Sequence, residues 1–103
     1  MRYAFHPAAR LEYRAAAMFY EARRSGLGAI FTREIEAAID RIVAAPEQFR
    51  FVEQDVRRCL AHVFPYGVLY TLEGDFILIV AVAHASRRPG YWQDRLSRGS
   101  ENA

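Results

Sequence analysis

The run Phe76-Ile77-Leu78-Ile79-Val80-Ala81-Val82-Ala83 places the tightest constraint on what this chain can fold into. It is apolar at every position, so it has no polar face to turn toward water. It is far shorter than the ~20 residues that a membrane-spanning helix requires. Its length and its β-branched residues suit a strand, and a strand apolar on both faces belongs mid-sheet with a layer on either side. Strict alternation puts Phe76, Leu78, Val80 and Val82 on one face, and Ile77, Ile79, Ala81 and Ala83 on the other. The rest of the chain must supply neighbouring strands and two covering layers.

The neighbours lie just upstream. Gly74-Asp75 is a two-residue hairpin signal, and it predicts a strand over Tyr66 to Glu73. Pro65-Tyr66-Gly67 marks a further turn, preceded by a strand over Val56 to Phe64. Such short links join antiparallel strands, so a three-stranded meander is expected. One covering layer comes from the N-terminal half. Arg2 to Phe5 reads as a short strand with Tyr3 and Phe5 on one face. Pro7 suits the first turn of a helix running to about Arg24. Its expected apolar stripe is Leu11, Ala15, Met18, Phe19 and Ala22, with Arg10, Arg14, Glu21 and Arg24 opposite. Ser25-Gly26-Leu27-Gly28 stops that helix and restarts another, striped with Leu27, Phe31, Ile35, Ala38, Ile39 and Ile42. Pro46 ends it near Ala45. The other layer must come from the C-terminal segment, a partner chain or both. After Pro89-Gly90, Tyr91 to Arg98 reads as a short helix that returns Trp92, Leu96 or both to the sheet. The expected architecture is a single α+β domain over residues 1–96, with 97–103 as a loose tail.

The chain has 103 residues, fourteen basic and twelve acidic, a net charge of +2 and a pI near 9.0. This balance alone does not indicate nucleic acid. All fourteen basic residues are Arg. Arg stays protonated, so it can clamp phosphates or carboxylates but makes a poor proton shuttle. Lysine catalysis is excluded, and acid–base work would fall to His6, His62, His84, a tyrosine or a carboxylate. Cys59 has no partner for an internal disulfide, and the N-terminus lacks the apolar stretch of a signal peptide, so the cytoplasm is the expected compartment. The scattered histidines make no metal-ligand pattern, and no phosphate-binding glycine loop appears. No cofactor or metal is expected.

Several local phrases, in order, carry a resemblance. They are Phe5-His6-Pro7, Phe19-Tyr20-Glu21 before a Gly turn, Ala45-Pro46-Glu47-Gln48-Phe49, Val56-Arg57-Arg58, Phe64-Pro65-Tyr66, Ala83-His84 and Arg87-Arg88-Pro89-Gly90-Tyr91-Trp92. Over about residues 3 to 95 the chain resembles the RelE/ParE toxin superfamily of type II toxin–antitoxin systems, most closely its ParE-like branch. The resemblance implies a hetero-oligomer with a cognate antitoxin. It also implies one of three roles. A ParE-like member poisons DNA gyrase and is not an enzyme. A RelE-like member cleaves mRNA in the ribosome. A third possibility is a non-toxic module that only binds antitoxin in autoregulation. RelE-like nucleases use a basic cluster with a C-terminal Tyr, and the absence of Lys on the meander departs from that pattern.

Adjacent strand residues face opposite ways, so Arg57 and Arg58 cannot serve one flat site. Either they are edge charges that block aggregation, or one contacts phosphate, target or antitoxin. Arg58 is favoured, because His62 lies four residues on along the same face. His84 closes the central strand as a capping residue or as the best proton-transfer group in the chain. Were the chain a nuclease, Arg58, His84, Arg87, Arg88 and Tyr91 would form its centre, with guanidiniums on the phosphate and His84 or Tyr91 near the 2′-hydroxyl. Tyr66, Tyr70 and Trp92 are core residues or the wall of an antitoxin groove. The expected target- or antitoxin-binding set is Arg57, Arg58, His62, Tyr66, Tyr70, Arg88, Tyr91 and Trp92.

Overall fold

The computed structural model describes residues 1–96, so the tail expected at 97–103 lies outside the described residues. The order is β1 (Arg2–Phe5), α1 (Pro7–Arg23), α2 (Leu27–Ala44), β2 (Phe51–Glu53), β3 (Val56–Leu60), β4 (Tyr66–Glu73), β5 (Phe76–His84) and one 3₁₀ turn (Gln93–Arg95). Both helix boundaries follow local chemistry. His6 caps α1 by accepting the Ala8 N–H on its ring, with Pro7 in the first turn. Gly26 sits at φ 90°, a left-handed conformation open to glycine, and starts α2. The Glu21 carboxylate accepts the Gly26 and Gly28 N–H groups and so ties the two helices together.

The expected meander is present, and it sits inside a larger, mixed sheet. The strand order is β1-β5-β4-β3-β2. β1 lies parallel to β5, with Arg2 to Phe5 opposite Phe76 to Ile79, while the other pairs are antiparallel. The all-apolar strand therefore has a neighbour on each side. The edge strand β2 was not expected. It is only three residues long and irregularly paired, too short for alternation to register.

The α2 stripe is as expected. Phe31, Ile35, Ala38, Ile39 and Ile42 are buried, and Leu27 packs against them. The α1 stripe is not. Leu11, Ala15, Met18, Phe19 and Ala22 all face solvent, and the core face is Ala9, Tyr13, Ala16, Ala17 and Tyr20. Two apolar stripes compete on this helix, and the winner is the one whose small residues allow close approach and whose tyrosines reach into the aromatic cluster. Tyr20 stacks on Phe31 at 5.3 Å and meets Phe64 edge-on at 4.8 Å.

β5 breaks the predicted alternation. Leu69 pairs with Ala81 while Tyr70 pairs with Ile79, so Val80 is an extra residue, a β-bulge. Val80 and Ala81 consequently both face away from the helices, and Val82 joins Ile77 and Ile79 beneath them. The second face is covered by the C-terminal segment. Trp92 is 3% exposed among Val56, Leu69, Val80 and Ala81, with Leu96 beside it. The expected helix there is a single 3₁₀ turn within the described residues.

The bulge lies just past the end of β1, and α1 and Arg95 complete its hydrogen bonding. The Val82 N–H donates to Glu12 at 3.0 Å, and Arg95 donates to the Val80 carbonyl at 3.0 Å. Arg95 and Glu12 then pair through both guanidinium nitrogens, at 2.9 and 2.8 Å. One ion pair thus fastens the C-terminal strap to α1 and to the kinked central strand.

Candidate functional site: an arginine-rimmed cleft on the second sheet face

The strap covers only part of the second face. Between it, the β3 and β4 strands and the end of β5 is a cleft of about 680 Å³. Arg50, Arg58, His84, Arg87, Arg88 and Tyr91 are among its lining residues. Glu53 is the one carboxylate among the described lining residues, and it accepts a hydrogen bond from Gln93. Four guanidiniums therefore face one occupied carboxylate, and the cleft is an anion-attracting surface.

Register explains how Arg58 comes to point there. It is on β3 with Val56 and Leu60, opposite Leu69, and it faces away from the helices. Its stem lies across β4 over Gly67. A Cβ at Gly67 would sit 3.0 Å from the Arg58 Cδ and 3.1 Å from its Cγ, closer than ordinary van der Waals contact. Gly67 is the space in which this arginine lies flat. At the far wall, the Arg87 guanidinium rests 3.8 Å from the Tyr91 ring centre, with Arg95 on the same ring at 5.1 Å. Guanidinium–ring contacts of this kind hold a cation in place without neutralising it.

The proton-transfer candidates are already engaged. The Tyr91 hydroxyl donates to Glu12 at 2.7 Å. Burial and that carboxylate both push its pKa well above the ordinary phenol value. Burial alone would raise the Glu12 carboxyl, but hydrogen bonds from Arg95, Tyr91 and the Val82 N–H outweigh it and hold it below its ordinary range. His84 accepts the Ser86 N–H on Nδ1 at 3.0 Å. That donor is a backbone amide, so in the neutral ring Nδ1 is the acceptor and Nε2 carries the proton.

The cleft gathers all five residues of the conditional catalytic centre: Arg58, His84, Arg87, Arg88 and Tyr91. The wider binding set fares differently. Arg57 is on the helix side, paired with Tyr70, and donates to the Glu47 and Phe49 carbonyls at 2.9 and 2.8 Å. Its guanidinium stacks 3.9 Å over Phe51, so it braces the segment leading into β2. His62 shares no strand face with Arg58, because β3 ends at Leu60 and the chain then turns through Val63 at φ 75°. Tyr70 is fully buried beneath the helices. Its hydroxyl donates to the Pro46 carbonyl at 2.6 Å, and burial pushes its pKa up to about 12. Tyr66 belongs to the same core, edge-on to Phe31 and to His84, and only its margin reaches the cleft. Trp92 is the plug of the second core and is not a free surface.

Sequence reasoning missed Arg50, Gly67 and Glu12. Arg50 precedes an edge strand too short to be seen, and Glu12 sits in a helix whose orientation was misassigned. Gly67 had a signal, since a glycine inside a strand pattern marks close approach.

This layout of helical hairpin, sheet and C-terminal strap can be compared with known proteins. Residues 3–89 match the family described as ParE toxin of type II toxin–antitoxin system, parDE. The chain belongs to the ParE toxin family. Among solved structures, it is similar to a chain from a chromosomal ParDE TA system from P. aeruginosa. The TM-score is 0.69 and the identity 17%, covering 82% of this chain and 95% of that one. That likeness shows the shared fold. No curated protein matches in sequence. Among the described residues no helix is long and apolar enough to cross a membrane, and no group of three or more His, Cys, Asp or Glu could hold a metal.

Proposed function

We propose that this chain is a growth-inhibiting toxin that engages DNA gyrase through the arginine-rimmed cleft, traps it on DNA without cutting nucleic acid itself, and is neutralised by a cognate antitoxin in the cytoplasm. Membership of the ParE family supports the toxin half of this reading. The observation that carries the non-enzymatic half is the state of Tyr91. Its hydroxyl is spent on Glu12 and its pKa is driven up, so it serves the fold and not a reaction. His84 is likewise oriented by Ser86, through its Nδ1. What remains exposed in the cleft is permanent positive charge on Arg58, Arg87 and Arg88. Such charge binds acidic side chains or backbone phosphates but moves no proton.

The test is induced expression without antitoxin, with plasmid supercoiling, cleaved DNA–gyrase complexes and mRNA integrity read in the same culture. Trapped gyrase with intact mRNA is the expected result. Cut mRNA with normal DNA would overturn it and make Arg58, His84, Arg87, Arg88 and Tyr91 a nuclease centre. Unimpaired growth would leave a module that only binds antitoxin.

A further inference from the structure

The charge of the cleft admits two kinds of ligand, a phosphate backbone or acidic side chains, and the other lining residues choose between them. Single-stranded nucleic acid is held by a cationic groove together with ring faces on which its bases stack. The cleft has the cations, but its rings are already in use. Tyr91 carries Arg87 at 3.8 Å and Arg95 at 5.1 Å, and Phe51 carries Arg57 at 3.9 Å. Trp92 is buried, and Tyr66 meets Phe31 and His84 edge-on. The side chains that lie open are aliphatic instead. Leu60 is 58% exposed and Val52 37%, and both line the cleft.

Leu60 lies beside the anion-binding charge. It shares the outward face of β3 with Arg58. A Cβ at Gly67 would sit 3.6 Å from the Leu60 Cδ2 and 3.0 Å from the Arg58 Cδ, so the two side chains flank one glycine. A phosphate backbone is held through charge and amide N–H groups and gains nothing from an exposed leucine. A peptide uses both, with an apolar side chain against the leucine and a carboxylate on the guanidinium. The carboxylates must come from the ligand, because none of Arg50, Arg58, Arg87 and Arg88 is ion-paired among the described residues. We infer that the cleft receives an acidic peptide segment of gyrase, with an aliphatic side chain against Leu60 and carboxylates on Arg58 and Arg88, and that DNA is not its ligand. This rests on the proposed engagement of gyrase, and it names the part of the gyrase–DNA complex that the cleft holds.

The experiment measures binding of the full chain to purified gyrase, without DNA and with a linear duplex added. Oligothymidine and the duplex alone are titrated in parallel. The variants are Arg58→Gln and Leu60→Gln. Both side chains lie outside the two cores, so both variants should melt within about 3 °C of the unsubstituted chain. The expected result is binding to gyrase without DNA, weakened about tenfold by each variant, with no binding to either nucleic acid alone. Binding to gyrase that appears only when DNA is added, and is unchanged in Leu60→Gln, would overturn this inference and leave gyrase as the target. So would DNA-free binding that neither variant weakens, or oligothymidine binding that Arg58→Gln abolishes. Self-association that Leu60→Gln abolishes, read by sedimentation, would overturn it by giving the cleft to a second copy. No binding to gyrase with or without DNA would overturn the gyrase reading itself, and this inference with it.

Discussion

The two faces of the sheet are built to different standards. The helix-covered face is closed by α1 and α2, and its large side chains Phe31, Ile35, Ile39, Ile42, Val68, Tyr70, Ile77 and Ile79 are all but fully excluded from water. The other face has a core of five buried residues, Val56, Leu69, Val80, Ala81 and Trp92, under a single strap. The strap is held by the Arg95–Glu12 ion pair, by hydrogen bonds from Tyr91 to Glu12 and from Gln93 to Glu53, and by the Trp92 plug, and it stops short of the end of β5. The cleft exists where the cover of the second face runs out. Candidate binding residues that fell on the first face, Arg57, Tyr66 and Tyr70, became structural. On the second face Tyr91 and Trp92 became structural too, while Arg58 and Arg88 stayed at the surface.

The largest test of that contrast is Phe31→Ala. Its ring meets Tyr13, Tyr20, Phe64 and Tyr66. Its loss should cost about 4 kcal/mol, as for other buried aromatic truncations, read by denaturant melts. Trp92→Ala should cost less, about 3 kcal/mol, because a one-segment cover can settle into the space more easily than a helical hairpin. An equal or greater loss than Phe31→Ala would mean that the strap face is no weaker than the helix face.

Next is Glu12→Gln, expected to cost about 2 kcal/mol by weakening a largely buried pair that also serves the bulge. It carries a pH signature. The Glu12 carboxyl titrates lower in the fold than its ordinary value of 4.5. The pair therefore stabilises the fold fully above that value and loses its effect as pH falls through the lower folded value. Acid melts of the unsubstituted chain should steepen below pH 4.5, and those of Glu12→Gln should lack that component. Identical acid profiles would show that the clamp does not hold the strap. The smallest stability effect belongs to Arg58→Ala and Arg88→Ala, within about 0.5 kcal/mol, as for exposed side chains without buried partners. Both should nevertheless abolish growth arrest. Large destabilisation with growth arrest intact would reverse the assignment of the two faces.

Much of this was legible in the sequence because it rests on local rules. The all-apolar run at Phe76 to Ala83, the Gly74-Asp75 turn, the Gly26 restart and the α2 stripe each came out in place. The errors arose where two local patterns tied. On α1 the more hydrophobic stripe lost to the one carrying Tyr13 and Tyr20. In β5 an extra residue at Val80 reversed the facing of Ala81 and Val82. The strand at Val56 ended at Leu60, and His62 left the site with it.

The sequence by itself determined the first strand, the two helices and the meander, the double-sided strand that demanded two covers, and a cationic character carried wholly by arginine. Periodicity, turn chemistry and side-chain charge are properties of neighbours along the chain. Only the tertiary structure decided which α1 stripe is core, which face each arginine takes, and that Glu12 meets Arg95, Tyr91 and the bulge. The Glu12 contacts join residues 70 to 83 positions apart. They depend on how layers pack against each other, and no local pattern encodes that.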